Sequence, residues 1–119
     1  MSLGELDPVI HAPKRLAAMA ILAASESAEF AFLRERLAVS DSDLSKQMKV
    51  LQVAGYVKIT KRGKGRGAST WYRATREGRL AFERHVASLQ SLIAEAPASP
   101  HATDSAKPSP AARPSFDAS

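Results

Sequence analysis

The hydrophobic period of this chain changes at Gly55. Before it, Leu44, Met48 and Leu51 recur at helical spacing. After it, Tyr56-Val57-Lys58-Ile59-Thr60-Lys61 alternates apolar and polar side chains, as a half-buried strand does. Gly55 is a natural stop for the helix, since glycine accepts the left-handed conformation that commonly ends one. Thr70-Trp71-Tyr72-Arg73-Ala74, rich in aromatic and β-branched residues, reads as a second strand. The segment between them, Arg62-Gly63-Lys64-Gly65-Arg66-Gly67, is a flexible basic loop, so the two strands form a hairpin with a long tip. The chain is therefore mostly α with a small β-hairpin, an α+β fold.

Upstream, Pro13 suits the first position of a helix, where its missing N–H is not needed. That helix runs to about Ala24. Leu16, Met19, Ala20 and Ala23 make one face, while Ile21 and Leu22 point elsewhere, which predicts cover on two sides: a core and a second contact such as a dimer. Phe30, Leu33 and Leu37 mark a short second helix with Arg34, Glu35 and Arg36 outward. Ser40 is a good N-cap for a third helix over 41–54, and Asp43 three residues on makes an acidic variant of the capping box. Thr75 caps a last helix over 76–94, with Glu77 at the positive end of its dipole. In it Phe82, Val86, Leu89 and Ile93 are spaced four, three and four, a heptad seam too short to stand alone. It predicts packing on another element or on a partner subunit.

With 119 residues the chain has room for one domain with a modest core. The folded unit is expected over 7–95, after an N-terminal arm over 1–6. Five of the seven prolines fall between Pro97 and Ser119, and Phe116 is the only large apolar side chain there, so 96–119 reads as a disordered tail. The longest apolar run, Leu16 to Ala24, is nine residues, short of the roughly 20 needed to span a membrane. Met1-Ser2-Leu3-Gly4-Glu5 lacks the basic start of a secretory signal. The absence of cysteine removes disulfides, thiolate nucleophiles and thiolate zinc sites. Together these features predict a cytoplasmic protein.

Charge is informative in its placement. The net charge is +5, and no acidic residue lies between Asp43 and Glu77. That stretch carries Lys46, Lys49, Lys58, Lys61, Arg62, Lys64, Arg66, Arg73 and Arg76. A one-signed run of this length is either a solvated basic face or the footprint of a polyanion-binding surface.

Helix, helix, short turn, helix, then a basic hairpin is the order of a winged helix-turn-helix. The stretch from Ser42-Asp43-Leu44-Ser45-Lys46-Gln47-Met48-Lys49 through Val53-Ala54-Gly55-Tyr56-Val57 resembles the recognition helix and first wing strand of MarR-like and ArsR-like bacterial regulators. Trp71-Tyr72-Arg73-Ala74-Thr75-Arg76-Glu77-Gly78-Arg79 resembles the close of the wing and the start of the next helix in the same group. Ala74 is smaller than the aliphatic residue expected there, which predicts looser packing beneath the wing. The resemblance covers residues 7 to about 93 and implies a DNA-binding transcriptional regulator, by preference a repressor, with a C-terminal dimerisation helix.

The residues can also be read directly. With Leu44, Met48 and Leu51 inward, the outer face of helix 41–54 holds Ser42, Lys46, Lys49 and Val53, with Ser45 beside them. Short hydroxyls at a helix N-terminus, with lysines a turn further on, suit insertion into the major groove of double-stranded DNA. The wing, 61–69, presents Arg62, Lys64 and Arg66 between glycines. Arg66 is the candidate for the minor groove, and Lys61 and Lys64 for phosphates. For a homodimer, the expected interface is Leu16, Met19 and Leu22 with Phe82, Val86, Leu89 and Ile93.

Other chemistries find little support. Gly63-Lys64-Gly65-Arg66-Gly67 lacks the spacing of a phosphate-binding loop, and a strand rather than a helix follows it. His11, His85 and His101 lie far apart in sequence and read as solvated or structural, so no metal or other cofactor is expected. No serine sits in a nucleophile elbow and no pair of acids shares a plausible cleft, so an enzyme is not expected. A winged helix can also serve as a protein-interaction module or a non-specific nucleic-acid binder. The basic run argues against a purely protein partner but does not separate specific from non-specific DNA binding. The residues mark no pocket for a small-molecule effector.

Overall fold

A computed structural model describes residues 6–95. The expected arm up to residue 5 and the tail 96–119 lie outside the described residues. Five helices and three strands follow in the order α1 (Pro8–His11), α2 (Pro13–Ala23), β1 (Ala28–Glu29), α3 (Phe30–Leu37), α4 (Asp41–Val53), β2 (Val57–Arg62), β3 (Ser69–Ala74) and α5 (Arg76–Glu95).

Two of these elements have no counterpart in the sequence reading. The first is α1, a single turn capped by Asp7, whose Oδ1 accepts from the Val9 N–H at 2.9 Å. It cannot run on into α2 because Ala12 precedes Pro13 and is held extended, with ψ 133°. The second is β1, which pairs antiparallel with β3 through Ala28 opposite Tyr72 and Glu29 opposite Trp71. The hairpin is therefore part of a three-stranded sheet in the order β1-β3-β2.

The core lies where α2, α3 and α4 meet the sheet. Ile10, Ala18, Met19, Leu22, Leu33, Leu44, Met48 and Leu51 are buried together, closed by Val57, Tyr72 and Ala74 of the sheet and Ala81 of α5. Ala74 is 2% exposed, so its small side chain is part of this core. The alternation expected for β2 is incomplete: Val57 is buried, but Ile59 is 38% exposed and so is every later residue of the strand.

The turn between α3 and α4 is tight. Ala38 takes a left-handed conformation at φ 55°, and the Val39 N–H reaches back to Arg34 O at 3.3 Å. Ser40 then caps α4, its Oγ accepting from the Asp43 N–H at 3.1 Å. The reciprocal half of the capping box is replaced. The Asp43 carboxylate turns instead to Lys14 of α2 and to the Gln47 amide, 3.0 Å away. At the other end Gly55 has φ 83°, as the sequence predicts. Two further contacts fix α5. Thr75 Oγ1 accepts from the Gly78 N–H at 2.9 Å and donates to Gly55 O at 2.7 Å. Arg79 donates to Ala23 O at 2.8 Å, at the negative end of α2, and to Ser25 O at 3.0 Å in the turn after it.

Candidate nucleic-acid interface

With its apolar stripe in the core, α4 presents Ser42, Ser45, Lys46, Lys49 and Val53 to solvent, and Val53 is 75% exposed. Its orientation is set by polar ties to the preceding helices. Arg15 donates to Gln47 Oε1 at 2.7 Å and to Val9 O at 2.6 Å, and Gln47 in turn donates to Asp43. The two acids of the first turn are both engaged by cations: Asp43 by Lys14, and Asp41 by Arg34 at 2.9 Å. The Gln47 and Lys14 hydrogen bonds hold the Asp43 carboxyl below the usual carboxylate range. The negative charge in the first turn of α4 is thus answered locally, and Lys46 and Lys49 dominate the rest of its outer face.

Lys61, Arg62, Lys64 and Arg66 of the wing are all exposed. The tip has more order than a flexible loop. Gly65–Gly67 form a 3-10 turn, with Gly67 N–H on Lys64 O at 3.2 Å and Ala68 N–H on Gly65 O at 3.1 Å. Gly63 has φ 84° and faces Gly67 O so closely that a Cβ there would stand 2.8 Å from it, so the tip folds back through a position only glycine fits. Arg62 stands apart from the other basic residues, stacked on Trp71 with its guanidinium carbon 4.1 Å from the ring centroid.

The surface assigned to a dimer is narrower than the sequence suggests. Met19 and Leu22 are 0% exposed and belong to the protomer's own core, which corrects their assignment to the interface. Within the chain α2 packs against α1, α3, α4, β3 and α5, with Leu16 and Ile21 partly buried against the core. Leu16, Phe82, Val86 and Leu89 are half-buried, and Ile93 is 72% exposed. The side of α5 facing the core is Gly78, Ala81 and His85. The seam from Phe82 to Ile93 lies roughly 75° around the helix from it.

Folding also assembles a group that sequence reasoning missed, because its members are up to 78 residues apart. His85 is 1% exposed. Its Nδ1 accepts from the Asp7 N–H at 3.1 Å, and its Nε2 lies 3.3 Å from His11 Nδ1. Since the Asp7 amide can only donate, the neutral His85 ring carries its proton on Nε2 and donates to His11. Burial, and then the neighbouring His11, push the His85 imidazole pKa down. Tyr56 donates to Asp7 Oδ2 at 2.6 Å, and its hydroxyl is pushed up to about 12, chiefly by that bond. Among the described residues no group of three or more His, Cys, Asp or Glu is arranged to hold a metal ion. None of the described helices is long and apolar enough to cross a membrane.

Helices α3 and α4 joined by a tight turn, followed by a hairpin with a basic tip, define a winged helix-turn-helix protein. The family model of a winged helix DNA-binding domain matches residues 14–93, and the chain belongs to that family. The family is one of DNA-binding domains, not of enzymes. An uncharacterised protein of Methanocaldococcus jannaschii is 31% identical over 85 residues, covering 71% of this chain and 91% of that one. Among solved structures, a transcriptional regulator homologue from Pyrococcus horikoshii is similar at TM-score 0.68 and 27% identity, covering 72% of this chain and 85% of that one. The resemblance to MarR-like regulators holds at the level of the fold. A zinc-responsive MarR family member of Lactococcus lactis has TM-score 0.57 and 23% identity, covering 79% of this chain and 65% of that one.

Proposed function

We propose that this protein is a transcriptional repressor that binds specific sites in duplex DNA as a homodimer. In this reading Ser42, Ser45, Lys46 and Lys49 enter the major groove, Lys61 and Lys64 meet phosphates, and Arg66 reaches the minor groove. The observation that carries it is the segregation of charge. The acid-free stretch after Asp43 supplies the exposed cations of α4 and the wing, while Asp41 and Asp43 are each paired with a cation from outside that stretch. Such a surface attracts phosphate along the duplex and keeps hydroxyls and lysines free for base edges. The seam on α5 supports the twofold assembly, which would set two recognition helices about one turn of DNA apart.

The test is selection from a random duplex pool, followed by binding of the enriched duplex and of the pool at low and near-physiological salt. Preference for the enriched duplex by ~10³-fold or more that survives added salt is the expected result. Equal affinities that collapse together with salt make it a non-specific nucleic-acid binder. No binding to either overturns the DNA reading in favour of a protein-interaction module.

A further inference from the structure

Arg62 sits at the point where the wing leaves the body of the protein, and it is tied down there. Strand register places Thr60 and Glu29 opposite Trp71, and Ser69 opposite Arg62, so all five side chains share one face of the sheet. On that face the Arg62 guanidinium lies over the indole, well within the distance at which a cation is drawn to the ring. Its Nη2 reaches beyond β3 to Ser27 Oγ at 3.4 Å, just ahead of β1. The arginine therefore crosses the whole sheet, from β2 over β3 to the chain leading into β1. The indole beneath it is itself oriented, since Trp71 Nε1 donates to Ser69 Oγ at 2.8 Å. Beside it runs an open groove of about 360 Å³, lined by Ser25, Ser27, Ala28, Glu29 and Phe32 as well as Trp71.

The position of this tie in the chain gives it consequence. Every residue from Lys58 to Ala68 is exposed, and β1 meets β3 through only two residue pairs. Directly after Arg62 come Gly63, Gly65 and Gly67, the segment that carries Lys64 and Arg66. Arg62 is thus the last residue of β2, tied across the sheet immediately before the glycine-rich tip begins. A lysine could supply the same charge, but not a planar group that stacks on an indole while bonding at its edge.

We infer that Arg62 is a positioning residue for DNA binding, which acts through Trp71 and Ser27 to fix the direction in which the wing presents Lys64 and Arg66, and that it is not one of the phosphate contacts. The inference rests on the DNA reading above. It takes Arg62 out of the set of contacts to which its charge alone would assign it.

Salt dependence separates the two roles. A residue on a phosphate contributes about 0.9 to the slope of log affinity against log salt, and one that only positions others contributes nothing. Arg62→Ala and Trp71→Leu are each expected to weaken binding to the selected duplex roughly tenfold with the slope unchanged, because the untied wing still brings the same cations to the same phosphates and only its ordering costs more, whereas Lys64→Ala lowers the slope. The double variant is expected to be no weaker than either single one. Arg62→Lys should fail to restore affinity. Because Trp71 is the only tryptophan, its emission in the free protein reports the stack, and Arg62→Ala should change it while leaving the melting temperature unaltered. Rescue by lysine, a slope lowered by about one in Arg62→Ala, or unchanged emission would each overturn the inference. Failure of the wild-type protein to bind any duplex would instead overturn the DNA reading, a result distinct from these because lysine rescue and the slope are read on a protein that binds and the emission is read without DNA.

Discussion

At the scale of single residues, Gly78 shows how a position can be fixed by its neighbour rather than by its own conformation. It is helical, in the first turn of α5, where alanine would ordinarily gain about 1 kcal/mol of helix propensity. A Cβ there would stand 2.1 Å from Tyr56 O, a carbonyl that already accepts from the Thr75 N–H at 3.0 Å. The obstacle is backbone, so relief requires moving α5 off the turn between α4 and β2, and overpacking of this kind typically costs about 1–3 kcal/mol or more. The clash outweighs the propensity. Gly78→Ala is expected to destabilise by about 2 kcal/mol, a fall of roughly 10 °C in the thermal midpoint for a domain this size. A midpoint that stays level or rises would mean the close approach does not exist in solution. Lys49 lies at the other extreme, exposed on α4 and free of any core role. Lys49→Ala should leave the unfolding free energy within about 0.5 kcal/mol of wild type. It should also reduce the ratio of specific to non-specific affinity by ~10-fold, in line with a lost base contact. An equal loss on both duplexes would make Lys49 a phosphate contact instead.

At the scale of elements, the joint between α1 and α5 is where protonation meets the fold. The buried His85 ring accepts from the Asp7 amide, and an imidazolium would turn an N–H toward that N–H. Its folded-state pKa is lowered, so near and below the ordinary imidazole value of about 6.5 the unfolded chain binds a proton that the folded chain refuses. Stability is therefore full above that value and falls as pH drops through the window beneath it. The groups facing His85 are Asp7 and His11; Tyr56, on Asp7, stays protonated throughout this range. The denaturant midpoint of the wild-type protein should be lower at about pH 5.5 than at about pH 7.5. His85→Asn, which keeps an acceptor but does not titrate, should lose most of that difference. A difference that persists undiminished would place the titrating group elsewhere. This joint also marks the limit of what the sequence discloses. Helices α2 to α5 and the hairpin were legible because each repeats its period over several turns or residues and is bounded by Pro13, Ser40, Gly55 or Thr75. One turn between two prolines and a two-residue strand are too short to have a period. The meeting of His11 with His85, 74 residues on, depends on tertiary packing alone. The same limit explains Met19 and Leu22: periodicity showed that α2 is apolar on two sides, but not that both sides are covered within one chain.

At the scale of the whole molecule, the outer face of α4, the wing and the seam of α5 form one device only if two chains associate. A single recognition helix with a wing touches one half-site. Linking two of them turns the second contact into an intramolecular event, with an effective concentration on the order of millimolar for a short connection. Leu89 and Ile93 are the residues on which to test this, because neither belongs to the buried cluster and Ile93 is largely exposed. Leu89→Glu with Ile93→Glu should leave the fold intact, since like surface substitutions elsewhere it empties no core position. It would set glutamates against their symmetry mates across the twofold axis and desolvate them, which disfavours the dimer. Sedimentation at micromolar concentration is expected to show a dimer for the wild-type chain and a monomer for the variant. Binding of the selected duplex should fall on the order of 10²-fold, as the second half-site no longer adds to the first. The salt slope should fall toward half, since half the phosphate contacts leave with the lost subunit. A wild-type monomer, or a variant that remains dimeric, would remove α5 from the interface. With a wild-type monomer, tight and selective binding would rest on a single copy, the wing supplying what the second recognition helix was taken to provide; a dimeric variant would instead move the twofold contact to another surface.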